Sequence, residues 1–135
     1  MKILANRVNV ICKTTISQSQ QAFIKGRSIT DAALDILTVM RNQKDQTASH
    51  WLLLLDQQKA FDRINHTFIL KVLEKMNFNA GFISIVKSLF NSQTANIADA
   101  GIISEPFNVE RRVWQEDPLS PLLYIIALNP LILKI

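Results

Sequence analysis

Two carboxylates, Asp56 and Asp62, lie six residues apart in the stretch Leu52–His66, LLLLDQQKAFDRINH. An apolar run delivers Asp56 at its end, where burial raises a carboxyl pKa unless a cation or hydrogen bonds compensate. Carboxylates so placed suit divalent cations, and two-metal phosphoryl transfer needs several of them converging on ions about 3.5–4 Å apart. Mg²⁺ demands near-octahedral oxygen ligation, so one aspartate and a neighbouring carbonyl supply only part of a shell. On spacing alone a structural reading competes: Asp56 caps the next turn, and Asp62 pairs with Lys59 or Arg63.

The elements around this stretch are legible as periodicity. Met1–Ile16 reads as a short helical or extended piece with Lys2, Arg7 and Lys13 exposed, and Ser17–Ser28, with Gly26 between Lys25 and Arg27, reads as a loop. Thr30 is placed to N-cap a helix to about Arg41, whose apolar face is Ala33, Ile36, Leu37 and Met40. Asn42–Ser49 is polar and reads as a loop. Trp51–Leu55 is a continuous apolar run of a length that suits a strand buried on both faces. Ile69, Val72, Leu73 and Met76 fall at i, i+3, i+4 and i+7, and Phe82, Ile85, Val86, Leu89 and Phe90 repeat that pattern to about Asn91. Thr94–Val113, with Gly101 as its turn, predicts a β-hairpin. Pro118 suits the start of a final helix and Pro130 should kink or end it.

Bulk properties narrow the class. The 135 residues suffice for one domain with a real core. A hydrophobic share of 48% argues for a packed globular body rather than disorder. No apolar run reaches the roughly 18 residues of a membrane span, and Met1–Arg7 has no secretory h-region. Cys12 is the single cysteine, which rules out an internal disulfide and points to an intracellular location, nucleus or cytoplasm. A net charge of +4 fits a polyanionic partner. The basic residues are spread along the sequence, so charge alone does not establish nucleic-acid binding. His50 and His66 have no metal-ligand spacing and suit surface or capping roles. Cys12 reads as a small core residue. No Ser-His-Asp order or phosphate-binding glycine loop is present.

LDQQKAFDRINH resembles motif A of the reverse transcriptases of non-LTR (LINE-type) retrotransposons, of the form LDxxKAFDxVxH. Three further blocks follow that family's order. KILANRV (Lys2–Val8) resembles a segment between its fingers motifs, ISQSQQAFIKGRSITDA (Ile16–Ala32) is similar to its ISxxQxGFxxGRSxxDA, and PLSPLLY (Pro118–Tyr124) resembles the end of motif B, RGxRQGxPLSPLLF. Four ordered blocks spanning essentially the whole chain are a far stronger signal than any one of them.

The resemblance implies an α+β chain, an incomplete fingers and palm of a right-hand polymerase with helices packed on a small antiparallel sheet. Residues 1–50 would be fingers-like and 51–135 the first half of the palm. It makes Asp56 a catalytic metal ligand and the Gln57 carbonyl a second, with Mg²⁺ as cofactor. It places Phe61 against the incoming sugar, where an aromatic disfavours a 2′-hydroxyl, although plain core packing is an equal reading of that ring. It sets Gln115 near nucleotide and template, with Lys25 and Arg27 available to phosphate in a loop that solvent alone would also explain. Asp62 matches a family position but reads as structural. The implied partners are an RNA template, a DNA primer and deoxynucleoside triphosphates, with no membrane.

The pattern also departs. The family's motif C, an aromatic-x-Asp-Asp, does not occur in these residues, and the upstream triphosphate-holding segment is likewise missing. RRVWQEDPLSP carries Arg112 and Glu116 where the family has glycines and Trp114 where it has arginine. Those side chains would crowd a close backbone approach, and Glu116–Asp117 would oppose a triphosphate. Ala22 replaces a further glycine. Leu131–Ile135 is apolar without a cap, as if inside an element. The expectation is a reverse transcriptase fragment inactive on its own; the alternative is a non-catalytic RNA-binding or interaction remnant.

Overall fold

A computed structural model describes residues 1–42, 51–114 and 116–134. The chain runs α1 (Lys2–Thr15), α2 (Ile29–Asn42), α3 (Ala60–Arg63), α4 (His66–Lys75), α5 (Ala80–Asn91), β1 (Thr94–Ala95), β2 (Ala98–Asp99), β3 (Ile102–Ile103), β4 (Phe107–Asn108) and α6 (Ser120–Ile132). The centre is α6, SPLLYIIALNPLI, with no charged residue and its sides buried around Leu122, Leu123, Ile125 and Ile126. A helix apolar on all sides has to be enclosed. Here α1 packs on it through Ala5, Val8 and Cys12, and α4 through Ile69, Val72 and Leu73, with α5 behind α4. Pro130 lies inside the last turn of α6, and the helix ends two residues later.

Local signals explain the helix ends. Asn65 accepts from the Phe68 N–H and Asn79 from the Gly81 N–H, capping α4 and α5. Asn77, at φ +56°, closes α4 with the Phe78 N–H returning to the Leu73 carbonyl, and Phe78 then packs on Phe82 of α5. Ser28, not Thr30, caps α2: its Oγ accepts from the Thr30 N–H, because the helix starts one residue before Thr30. The apolar stripe of α2 forms as predicted in sequence, but none of its residues is buried.

The mixed helix-and-strand composition holds, with one rearrangement. Among the described residues the helices pack on each other rather than on a sheet, and the strands form a peripheral hairpin. The β1–β4 ladder pairs Thr94 with Asn108, whereas β2–β3 pairs Ala98 with Ile103, so the register shifts by one residue between them. That shift is a bulge on the return strand. Ser104 fills it, its N–H donating to the Ile97 carbonyl and its Oγ accepting from the Ile97 N–H, and Pro106, which has no N–H to offer a ladder, sits beside it.

Trp51–Leu55 is not the buried strand its composition predicts. The five residues join no ladder and their side chains are exposed, Trp51 at 94%. Strand hydrogen bonds run between chains of the ladder, and no partner strand lies alongside among the described residues. Asn42 ends α2, while residues 43–50, including the predicted loop and His50, are outside the described set.

Candidate active site

Asp56 and Gln57 stand on the rim of a cleft of about 680 Å³ walled by Ile64, Phe68, Tyr124 and Leu128. The chain turns from this rim into α3 at Lys59, which adopts φ +53°, and its carbonyl accepts from the N–H groups of Asp62 and Arg63. That reversal directs Phe61 inward. Its ring centroid is 5.1 Å from Tyr124 and 6.4 Å, edge-on, from Phe23, so three aromatics from three segments form one cluster behind the cleft, which Tyr124 lines.

Tyr124 links the cluster to the rim. Its hydroxyl donates to the Gln57 side-chain oxygen at 2.8 Å. Burial, and then the neighbouring Asp56 carboxylate, push its phenol above the ordinary value of 10.0. Asp56 itself is exposed.

The residues do not by themselves fit a magnesium ion. Among the described residues no group of three His, Cys, Asp or Glu side chains converges. Asp56 and the adjacent Gln57 carbonyl offer a minority of the six oxygens the ion requires. The second aspartate is engaged elsewhere, since Asp62 meets Arg112, Nε to Oδ1 3.6 Å, rather than Lys59 or Arg63. Arg63 instead reaches the Gln58 side chain at 3.4 Å.

A lacing of hydrogen bonds joins this segment to the approach of α6. The Val113 N–H donates to the Phe61 carbonyl and the Arg112 N–H to the Ile64 carbonyl, both at 3.0 Å, and Asn65 bridges Arg111. His66 adds the side-chain lock. Its ring is stacked on Phe90 at 4.0 Å and its Nε2 lies 2.7 Å from the Arg112 carbonyl oxygen. The surface or capping role predicted for His66 is thus corrected: it is 8% exposed, because the ring fills the gap between α5 and the 110–113 segment. Asp117 closes the turn that leads into α6, its side chain accepting from the Leu119 N–H at 2.7 Å and its carbonyl from the Ser120 N–H. Its charge therefore serves the α6 N-terminus.

The basic candidates separate. Arg27 is turned into the scaffold, donating to the carbonyls of Ser17, Gln20, Lys13 and Ile16 at 2.6–3.1 Å. It thereby closes the C-terminal end of α1 and fixes the loop that follows. Lys25 stays exposed at a second cleft, bounded by α1 and Pro118. Gln115 lies outside the described residues.

The comparisons with known proteins fall on this arrangement. The family model described as Reverse transcriptase (RNA-dependent DNA polymerase) matches residues 1–135. The chain belongs to the reverse transcriptase family. It is 28% identical over 133 residues to the Transposon TX1 uncharacterized 149 kDa protein of Xenopus laevis, covering 96% of this chain and 10% of that protein. It is 28% identical over 136 residues to the Retrovirus-related Pol polyprotein from type-2 retrotransposable element R2DM of Drosophila melanogaster, covering 96% and 13%. It is 30% identical over 132 residues to the corresponding type-1 R2 polyprotein of Popillia japonica, covering 97% and 18%. The chain thus spans between 10% and 18% of the length of these retrotransposon relatives, in agreement with the motif resemblance to the non-LTR class.

Within this reverse transcriptase section, Asp56 and Gln57, singled out in the sequence, line one cleft, and Phe61 meets that cleft only through its contact with Tyr124. Sequence reasoning missed Tyr124 and Phe23 as the partners of Phe61, and His66 as the clamp. A signal existed for each, since all three stand inside the quoted motif blocks.

Proposed function

We propose that this chain is the part of an RNA-directed DNA polymerase that walls the incoming nucleotide and presents one of its carboxylates. The observation that carries the reading is the rim Asp56–Gln57 set beside the Phe23–Phe61–Tyr124 cluster. An aromatic fixed from behind presents a rigid face to a sugar, and an exposed carboxylate beside it is available to a cation. The parent reaction is addition of deoxynucleotides to a DNA 3′ end on an RNA template. Such transfer depends on positioning and on charge stabilisation by several carboxylates and their metal ions. With one carboxylate at the rim, the 135-residue chain alone is expected not to polymerise.

Reading the transcript through codon 135 tests the assignment. An in-frame aromatic-x-Asp-Asp downstream supports it, and a stop codon at that point would overturn the polymerase part. Primer extension by the isolated chain that disappears in Asp56→Asn would overturn the inactivity.

A further inference from the structure

The segment from Asn108 to Arg112 is paired on two sides, and the pairing stops short at one residue. On one side Asn108 lies opposite Thr94 in the β1–β4 ladder, and the Val109 N–H donates to the Gln93 carbonyl. On the other, the Arg112 N–H donates to the Ile64 carbonyl and the His66 N–H reaches the Glu110 carbonyl, flanking the Asn65–Arg111 bridge. Backbone groups of an extended strand alternate between its two sides. Glu110 and Arg112 therefore face the 64–66 segment, Val109 faces β1, and Asn108 faces the 64–66 side again. No strand meets it there, because Asn65 caps α4 and the chain leaves as a helix from His66. The Asn108 N–H and C=O are left as an open ladder step.

A cleft of about 510 Å³ lies at that step, between Asn65–Thr67, the end of α5 and residues 108–110. Its lining brings together the carboxamides of Asn65, Asn91, Gln93 and Asn108 and the carboxylate of Glu110. Gln93 is 4% exposed, and its side-chain amide has no hydrogen-bond partner among the described residues. No side-chain nitrogen or oxygen among those residues is both enclosed and unbonded, so this amide opens onto cavity space. Gln93 also borders a cavity of about 100 Å³, which has room for a few waters. The ligand-sized space beside it is the cleft. Among the described residues Glu110 has no cation within ion-pair distance.

The lining decides which chemistry fits. No lysine or arginine lines the cleft, so a phosphate has no counter-charge there. Its two aromatic rings, His66 and Phe90, are stacked on each other with planes 2° apart and are 8% and 6% exposed, so neither offers an open face to a base. Carboxamides match a group with a donor and an acceptor side by side, and a peptide unit is such a group. An open strand edge takes the same ligand in extended form. The unpaired carboxylate favours a basic side chain on it.

We infer that this cleft docks an extended peptide segment of a partner protein, which adds as a strand at Asn108, meets the Gln93 amide and carries a lysine or arginine toward Glu110. None of Asp56, Gln57, Phe61 and Tyr124 lines the cleft, so the inference stands apart from the polymerase reading.

The test is an amide NMR titration of the isotope-labelled 135-residue chain with the end-blocked peptide TVKVT, taken to millimolar concentration. Saturable shifts are expected at the Asn108 backbone amide and the Gln93 side-chain amide, with slowed hydrogen exchange at Asn108. Asn108→Pro removes the outward N–H without touching a bond to β1, and should weaken binding about fivefold. Glu110→Gln alters an exposed side chain and keeps the fold; it should weaken TVKVT about threefold and leave TVTVT unchanged. Asp56→Asn should alter neither. No saturable shift at Asn108 and Gln93 would overturn the docking site. Parent-like binding by Asn108→Pro would overturn the strand addition, and parent-like binding of TVKVT by Glu110→Gln would overturn the charge pairing. A short single-stranded RNA or maltose that shifts the same amides and is not displaced by TVKVT would overturn the peptide assignment.

Discussion

His66 and Arg112, forty-six residues apart, are joined by a 2.7 Å contact between the imidazole Nε2 and the Arg112 carbonyl oxygen. A carbonyl only accepts, so Nε2 supplies the proton of this hydrogen bond. The contact fixes the segment that leads into α6 against the one that carries Phe61. His66→Ala removes the stack on Phe90 and strands a backbone acceptor, and each loss is worth about 1 kcal/mol. Urea denaturation should therefore show a loss of about 2 kcal/mol, and amide exchange at Arg112 and Val113 should accelerate. Unchanged exchange at those two amides would show that the lock is not what holds the segment.

Arg112 itself occupies φ +98°, a backbone conformation that favours glycine. Its side chain gives back an ion pair with Asp62 at 3.6 Å and a guanidinium 5.8 Å from the centre of the Trp114 ring. Both contacts are solvent-screened, the ion pair's side chains being 48% and 41% exposed. Arg112→Ala forfeits them and keeps the strained backbone. Arg112→Gly forfeits them and relieves it. The glycine variant is expected to be about 1 kcal/mol more stable than the alanine variant, by thermal or urea unfolding. The reverse order would mean the backbone is not strained there.

Helix positions were legible because their signals are local. The α5 boundary near Asn91 follows from apolar spacing, and α4 from the same periodicity behind a motif histidine. Trp51–Leu55 failed for the opposite reason: a strand is defined by a neighbour, and composition cannot say whether one is present. Asp62 illustrates the same limit at the site. Its nearest cations in sequence are Lys59 and Arg63, but its partner Arg112 arrives from fifty residues further along the chain. Asp56, Gln57 and Phe61 were singled out through a short motif, whereas Phe23 and Tyr124 become partners of Phe61 only in the fold.

Cys12 gives a pH dependence whose sign is fixed. The thiol is fully buried, and burial, opposed in part by Arg27, raises its pKa from 9.0 to about 11. The unfolded chain therefore releases this proton first as pH rises through 9, and the folded chain holds it until about 11. Between those values the folded state binds more protons, so stability falls with rising pH. The contribution is complete below pH 9 and amounts to about 2 kcal/mol lost by pH 11. Cys12→Ala, though less stable at neutral pH from its cavity, should show a shallower alkaline decline in urea midpoints. An equal decline would assign the loss to other groups.

Tyr124 is the single tyrosine, so tyrosinate absorbance reads it alone. Its phenol is raised first by burial and then by Asp56. Titration of the folded chain should thus run above the ordinary midpoint of 10.0, and Asp56→Asn should bring it part of the way back. The residual shift in that variant is the burial component, which the substitution leaves in place. A midpoint indifferent to Asp56→Asn would place the carboxylate too far from the ring to share a charged corner with it.

Arg27 separates a scaffold role from a phosphate-binding one. Its terminal nitrogens donate to four carbonyls, two of them at the C-terminal end of α1, where a cation also complements the helix dipole. Lysine keeps the charge but not the planar fork that reaches several acceptors together. Arg27→Lys should cost about 2 kcal/mol in urea denaturation, from charge-assisted bonds lost to acceptors of which three are half-buried and one exposed. Because the loop it fixes carries Phe23 and Lys25, the same substitution should loosen the edge contact of Phe23 on Phe61, and amide exchange at Lys25 should accelerate. Unchanged exchange at Lys25 would show that the guanidinium does not hold the loop.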